Sequence, residues 1–266
     1  MTADEATKAK GSELLALHQS ETLLTVVNVW DVISAKVVAQ VDGTAALATA
    51  SHSIASSFGY PDGENIPLDL MLEQVKRIVD ATDLPVTADL EGGYGNAPET
   101  IRRAIGLGVV GANIEDQLKP LAEAAKQVED IMRVAEEEGV DFVLNARTDA
   151  FALRRQDLMS GGDPEVAMLD AIERGKAYLD AGAPVVFVPA ILTEDQIDRL
   201  VEAYGPRRLT TIGIPGNPPR DWQQEHGVAR TSYGPLSQNV ALTALQELVE
   251  EVHRGGGTPA NLRILN

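Results

Sequence analysis

The sequence predicts a (β/α)₈ barrel, and three observations predict it. Eight β-rich runs alternate with helical segments at a mean spacing of roughly 25–30 residues, as such a barrel requires. Acids and one arginine gather where those runs end. The chain has 266 residues, 44% of them hydrophobic, and α/β barrels of about this size are usually one domain. Neither a Gly-x-Gly-x-x-Gly turn nor a phosphate-cradling P-loop occurs, which weakens the rival open doubly wound sheet. Residues 1–266 are therefore expected to form a single barrel domain, with an extra N-terminal helix and residues 254–266 as a C-terminal tail.

Glu13 to Ser20 reads as the end of that extra helix, with Leu14, Leu15 and Leu17 as its apolar side. Thr25 to Trp30 is the first β run. Asp31 to Val41 is helical, with Ile33, Val37, Val38 and Val41 at a spacing suited to one buried face. Ala45 to Thr49 is the second β run. The polar stretch Ser51 to Asn65 reads as a long loop, and long loops in compact domains often carry function. Pro67 opens a helix that runs to Asp80, with Leu68, Leu72, Val75 and Val79 inward.

The third β run, Val86 to Asp89, follows the breaker Pro85 and enters the turn Leu90-Glu91-Gly92-Gly93-Tyr94-Gly95. Asn96 to Leu107 is helical, with Pro98 in its first turn. Val109 to Ile114 is the fourth run and leads into Glu115-Asp116. Leu121 to Glu138 is an amphipathic helix. Phe142 to Ala146 is the fifth run and leads into Arg147-Thr148-Asp149. Asp163-Pro164-Glu165 marks the start of a helix to Asp180. Pro184 to Val188 is the sixth run, and Thr193 with Gln196 fits a capping box. Leu209 to Ile212 and Val228 to Ser232 complete the β runs, with a short helix at Asp221 to Glu225 between them. Ser237 to His253 is the last long helix.

Composition removes several function classes. The net charge is −18, from 40 acids against 22 bases, and such a surface repels nucleic-acid phosphates. The absence of cysteine excludes disulfides, thiolate metal sites and cysteine nucleophiles. Met1 to Lys10 is polar, and no apolar run approaches the ~18 residues of a membrane span. A cytoplasmic protein without membrane or nucleic-acid partners is the expectation.

The chemistry concentrates at the ends of the β runs, where barrel active groups lie. Asp89 and Glu91 are two residues apart, so an extended backbone projects them to one side. At ~5 Å and an effective dielectric of ~20, two such charges repel by about 3 kcal/mol. A divalent cation offsets that repulsion, and Mg²⁺ takes oxygen ligands while keeping several waters. The rival reading is that Asp89 caps the turn and Glu91 is solvated. Glu115 ends the fourth run, Arg147 the fifth, and Asp62 lies in the loop after the second. Arg147 can grip a carboxylate through its planar fork, or form a structural pair with Asp149 or Glu115. His52 is a candidate acid or base in the loop after the second run. Tyr94 can offer its hydroxyl to a substrate or pack. Asn145 shares a face with Arg147. Asn217 lies after the seventh run, and Lys119 is a base in a shortened segment with a solvated surface position as its rival reading.

Six stretches together resemble the isocitrate lyase/phosphoenolpyruvate mutase superfamily. They are Asn28 to Ala35, Gly59 to Asp62, Val86 to Ala97, Gly111 to Gln117, Asn145 to Phe151 and Ala229 to Pro235. Within that superfamily the chain resembles carboxyphosphonoenolpyruvate phosphonomutase-like proteins that lack the lyase cysteine loop. The resemblance implies a (β/α)₈ barrel with Mg²⁺, or Mn²⁺ as a substitute, acting beside a 2-oxo acid through an enolpyruvate-like oxyanion. It implies Asp89 as the main metal ligand, Glu91 and Glu115 as ligands of metal or metal-bound water, and Asp62 as an outer acid. It makes Arg147 the carboxylate clamp, Ala50 and Ser51 the amides that meet the oxo-acid, and Trp30 and Asp31 neighbours of the substrate. It also implies a homo-oligomer, a dimer or a homotetrameric dimer of dimers, with a C-terminal helix free to swap between subunits.

The departures narrow the reaction. The Lys-Lys/Arg-Cys-Gly-His loop of isocitrate and methylisocitrate lyases is replaced by Gln117-Leu118-Lys119-Pro120, and Pro189 stands where those lyases place a glutamate. Both of those activities are rejected. What remains is an Mg²⁺-dependent lyase that cleaves a C–C bond, or decarboxylates, in a small 2-oxo or 2-hydroxy dicarboxylate. The alternatives are P–C bond mutase or hydrolase chemistry on a phosphonate, and a catalytically reduced oxo-acid-binding protein.

Overall fold

The computed structural model describes residues 3–265. Met1, Thr2 and Asn266, the outermost residues of the expected 1–266 domain and 254–266 tail, lie outside the described residues. Nine parallel strands are β1 (Leu24–Val26), β2 (Asn28–Val29), β3 (Leu47–Thr49), β4 (Val86–Asp89), β5 (Gly111–Glu115), β6 (Val143–Arg147), β7 (Val185–Phe187), β8 (Leu209–Ile212) and β9 (Arg230–Ser232). The helices are α1 (Glu5–Gln19), α2 (Val32–Ala39), α3 (Ser51–Ser57), α4 (Leu68–Val79), α5 (Ala97–Gly106), α6 (Leu121–Glu138), α7 (Arg155–Met159), α8 (Pro164–Asp180), α9 (Glu194–Tyr204), α10 (Arg220–Glu225) and α11 (Leu236–His253).

The sheet order is β1-β9-β8-β7-β6-β5-β4-β3-β2. Its two ends are halves of one run, interrupted at Val27: β1 pairs with β9 and β2 with β3. The ring therefore closes on the first β run, as an eight-stranded barrel must. Asn28 holds this seam. Its Nδ2 donates to the Thr49 carbonyl at 2.7 Å, and its Oδ1 accepts from the Tyr233 and Gly234 amides, both at 2.8 Å. The anticipated run Thr25–Trp30 is split into a half that pairs with β9 and a half that pairs with β3, and Asn28 bridges Thr49 on β3 to the turn that follows β9.

Helix α1 covers the N-terminal mouth. Leu14 is fully buried, and a Cβ added to Gly111 would meet Leu14 Cδ2 and the Val143 carbonyl, both at 2.9 Å. Only glycine lets the helix approach the start of β5 this closely. Helices α4, α5, α6, α8 and α9 bury one apolar stripe each. In α4 the inward residues are Met71, Leu72, Gln74, Val75 and Ile78, so Leu72 and Val75 match the anticipated face. The acidic end of α6 is met from α5: Arg102 Nη2 and Nη1 reach Glu137 and Glu138, both at 2.6 Å. The capping box of Thr193 and Gln196 is present, and Asp163 caps α8 through the Glu165 amide.

Three further elements differ from the sequence expectation, and the first is α2, where Ile33 and, just past the helix end, Val41 of the anticipated buried face are exposed while Ser34 and Ala35 are buried. The first half of the anticipated loop Ser51–Asn65 is the helix α3, with Ser53, Ile54 and Ala55 buried. Serines favour caps and turns over helix interiors, and here Ser56 and Ser57 Oγ bond back to the His52 and Ser53 carbonyls. The short helix α7 was also not anticipated. At the other end, α11 buries Gln238 alone among its residues, through bonds to the Ser53 carbonyl and Ser57 Oγ, both at 3.1 Å.

Candidate active site

The parallel register aligns the C-terminal ends of β4, β5 and β6. Asp89 pairs with Asn113, Asn113 with Asn145, and Glu115 with Arg147. Residues two apart share a face, so Asp89, Glu115 and Arg147 sit on one rim. Asp89 is anchored from β3 and α3. Its amide donates to Thr49 Oγ1 at 2.9 Å, and its Oδ2 accepts from the Ser51 amide at 3.0 Å and Ser51 Oγ at 2.7 Å. Ser51 is the first residue of α3, so a carboxylate also gains from that helix's N-terminal end.

Glu91 follows in the turn after β4 and is buried. Its Oε1 accepts from the Tyr94 hydroxyl at 3.1 Å, and its Oε2 accepts from the Glu64 amide. Burial raises its pKa above the ordinary carboxylate value. The bonds from Glu64 and Tyr94 oppose that rise, and the charges of Asp89 and Asp62 add to it. Burial and the charge of Glu91 hold the Tyr94 hydroxyl protonated well above its usual range.

Glu115 and Arg147 continue this rim on β5 and β6. Arg147 Nη1 lies 2.8 Å from Glu115 Oε2, and its Nη2 lies 2.7 Å from Asp149 Oδ1. Burial pushes the Glu115 carboxyl up to about 7, against the pull of Arg147 and with help from Asp149 and Asp89. Burial opposes the charge of Arg147, but Asp149, Glu115 and Asp89 together keep its pKa raised. Asp149 is raised by burial, and the charge of Asp116 adds to this. The structural pairing of Arg147 with Asp149 or Glu115 is thus realised with both at once.

The turn after β5 is short and fixed. Gln117 and Leu118 lie at φ +50° and +52°, held by Asp149 Oδ2 and Asp116 Oδ1, each 3.0 Å from their amides. Asp116 is buried and bonded to Arg174 and Tyr178. It serves the scaffold. Lys119 Nζ turns to Gln127 at 3.2 Å.

The remaining candidates are spread more widely. Asp62 lies on the exposed loop after α3, close enough for its charge to act on Glu91. His52 is exposed on α3. Ala50 precedes that helix, and its amide already donates to the Val29 carbonyl at 3.3 Å. Asp31 caps α2 by accepting from the Ser34 amide at 2.7 Å, and the half-buried Trp30 packs on the core. Asn145 is fully buried and committed within the barrel, donating to Asn113 Oδ1 and accepting from Thr210 Oγ1, both at 2.6 Å. Asn217 ties the loop after β8 to the Leu192 amide and the Ala190 carbonyl.

Two residues, Glu64 and Arg230, had no role in the sequence reading, and Asp149 entered it only as a structural partner of Arg147. Glu64 contacts both Glu91 and Tyr94; its closeness to Asp62 in the chain was the available signal. Asp149 stands two residues beyond Arg147, and that spacing marked it as a partner. Arg230 on β9 is 1% exposed, and Nε, Nη1 and Nη2 all lack a hydrogen-bond partner. Its register partner Thr210 faces the barrel interior. Burial lowers its pKa to about 10, against the charge of Asp89. Its place within the β run Val228–Ser232 and the stretch Ala229–Pro235 was the available signal.

Asp89, Glu91 and Glu115 offer oxygen donors only, which suits a hard cation. Among the described residues no three His, Asp or Glu side chains form a ready-made metal cage. Mg²⁺ does not require one, since it is typically held by one or two carboxylates and several waters. Burial raises the pKa of Glu91 and of Glu115, and the charge of Asp89 adds to both, so the three acids lie close enough to repel one another. The donor set therefore fits such a cation.

Residues 14–253 match the model of the phosphoenolpyruvate phosphomutase family. The chain belongs to this family, within the isocitrate lyase/phosphoenolpyruvate mutase superfamily. A solved structure from Burkholderia cenocepacia J2315, provisionally described as a phosphonomutase, is 38% identical, with a TM-score of 0.82. The match covers 91% of this chain and 99% of that one. The 2-methylisocitrate lyase of Escherichia coli K12 is 31% identical over 222 residues, 77% of this chain and 71% of the relative. The oxaloacetate decarboxylase of Rhodopseudomonas palustris BisA53 is 29% identical over 243 residues, 88% of this chain and 81% of the relative.

Proposed function

We propose that this protein is an Mg²⁺-dependent lyase that decarboxylates, or cleaves a C–C bond in, a small 2-oxo or 2-hydroxy dicarboxylate. The observation that carries the reading is the rim formed by Asp89, Glu115 and Arg147, with Asp89 beside the amide and hydroxyl of Ser51. Asp89 is the direct ligand of Mg²⁺ or Mn²⁺, and Glu91 and Glu115 hold its waters. Bound there, the cation supplies a Lewis acid for the oxyanion that bond cleavage leaves behind. Ser51 orients Asp89 through its hydroxyl, and its amide turns from Asp89 to the oxo-acid end of the substrate. Arg147 releases Glu115 or Asp149 and turns its fork to the distal carboxylate. Tyr94 keeps its proton and donates a hydrogen bond to Glu91. The relation to an oxaloacetate decarboxylase supports decarboxylation as the first reaction to test.

The family match and the Burkholderia relative favour a second reading, P–C chemistry on a phosphonate. The exposure of His52 leaves no free histidine at the rim, which is the feature that favours an oxo-acid-binding protein with reduced catalysis. A panel of 2-oxo acids, 2-hydroxy dicarboxylates and phosphonates, followed by proton and phosphorus NMR with Mg²⁺ or chelator, separates the three. Mg²⁺-dependent loss of a dicarboxylate is the expected result. Change confined to a phosphonate, or oxo-acid binding without turnover, refutes the lyase reading.

The assembly is a homo-oligomer in which α11 packs on a second copy. Leu242, Leu245, Val249 and Val252 repeat at a spacing of three and four residues on α11, and all are exposed. That spacing forms a continuous seam on a helix. Leu262, Ile264 and Leu265 in the tail are exposed as well. No helix among the described residues is long and apolar enough to cross a membrane.

A further inference from the structure

Three non-glycine residues in the left-handed region touch one another beside the candidate cation site. Glu64 lies at φ +60°, Glu91 at +53° and Tyr94 at +54°. A side chain bearing Cβ rarely adopts this conformation, and such strain persists where surrounding contacts impose it. Here the contacts form a closed ring. The Glu64 amide donates to Glu91 Oε2, and the Tyr94 hydroxyl donates to Glu91 Oε1 at 3.1 Å. The Tyr94 amide donates to Glu64 Oε1 at 2.6 Å.

The ring joins two segments far apart in sequence. Glu64 ends the exposed loop Phe58–Gly63, which carries Asp62, while Glu91 and Tyr94 belong to the turn after β4. Half-buried Glu64 and buried Ile66 are where this loop meets the barrel. Both Glu91 oxygens are oriented by the ring, and each keeps a second lone pair for a cation-bound water. Without the Glu64 carboxylate, the Tyr94 amide loses its anchor, and the turn that carries Glu91 is tied to the loop through the Glu64 amide alone.

We propose that Glu64 is a positioning residue that couples occupancy of the cation site to closure of the Phe58–Asn65 loop. The proposal rests on the reading of Glu91 as a holder of cation-bound water. Coupling is reciprocal: if the loop orients Glu91 for the cation, the cation must hold the loop. Asp62 is then delivered to the site by the same contact.

The test measures Mn²⁺ affinity by electron paramagnetic resonance and hydrogen exchange of residues 58–65, on the full chain. Glu64→Ala is expected to weaken Mn²⁺ binding roughly 10-fold, as removal of an outer partner of a metal ligand typically does. Mn²⁺ should slow exchange in the wild-type loop and leave the loop of Glu64→Ala unchanged. Glu64→Gln keeps the acceptor for the Tyr94 amide and should restore both properties; matching far-ultraviolet circular dichroism establishes that the variants fold. Unchanged Mn²⁺ affinity in Glu64→Ala overturns the proposal alone, as does a Glu64→Gln variant as weak as Glu64→Ala. A wild-type protein that binds no Mn²⁺ overturns both the proposal and the lyase reading beneath it.

Discussion

Replacing Glu115 with Gln should remove a pH-dependent weakness from the metal-free protein. Glu115 shifts from 4.5 to about 7 on folding, chiefly through burial. A carboxyl whose folded pKa is raised weakens the fold once it must ionise. The penalty is absent below the unfolded value, grows as pH rises between the two, and is complete above the folded one. Integrating the linkage between pH 5 and pH 8 gives a loss of about 2–3 kcal/mol. Urea denaturation in the presence of chelator measures it. The wild type should lose that amount between pH 5 and pH 8 relative to Glu115→Gln. The offset between the two proteins at pH 5 reports the exchanged contacts to Arg147 and Gln117, which the comparison across pH removes. Parallel pH profiles would refute the assignment of a raised pKa to Glu115. Saturating Mg²⁺ should lessen the wild-type loss, because a cation offsets the ionised acid.

Arg147→Lys replaces a planar fork with a point charge, so kcat/KM for the active dicarboxylate should fall roughly 30-fold, equivalent to about 2 kcal/mol. Steady-state kinetics checks this, with KM taking most of the change. Asn28→Ala removes three bonds at the barrel seam and should destabilise the fold by about 2–4 kcal/mol in urea. Leu245→Glu places a charge in the α11 seam and should shift the oligomer to a smaller species in light scattering, with little change in circular dichroism.

Much of the fold was legible because the signals were local. Strand β8 and helix α6 have the anticipated limits, since Gly, Pro and apolar spacing mark them clearly. Helix α3 was not, because its serines carry a turn signal that tertiary burial of Ser53 and Ile54 overrides. The break at Val27 was also hidden: it shows in the pairing of one half with β9 and the other with β3, not in the residue types around it. The sequence placed Asp89, Glu115 and Arg147 at strand ends, and the register puts them on one rim. It could not show that Arg147 is shared by two acids, or that Asn145 is used up by Asn113 and Thr210. The ring of Glu64, Glu91 and Tyr94 depends on φ values that residue types do not announce.

A crystal structure with Mg²⁺ and oxalate tests the central claim most directly. The account predicts the cation on Asp89, with waters reaching Glu91 and Glu115, and oxalate lying against the Ser51 amide. A cation bound elsewhere, or oxalate bound at the rim without any cation under saturating Mg²⁺, would contradict it.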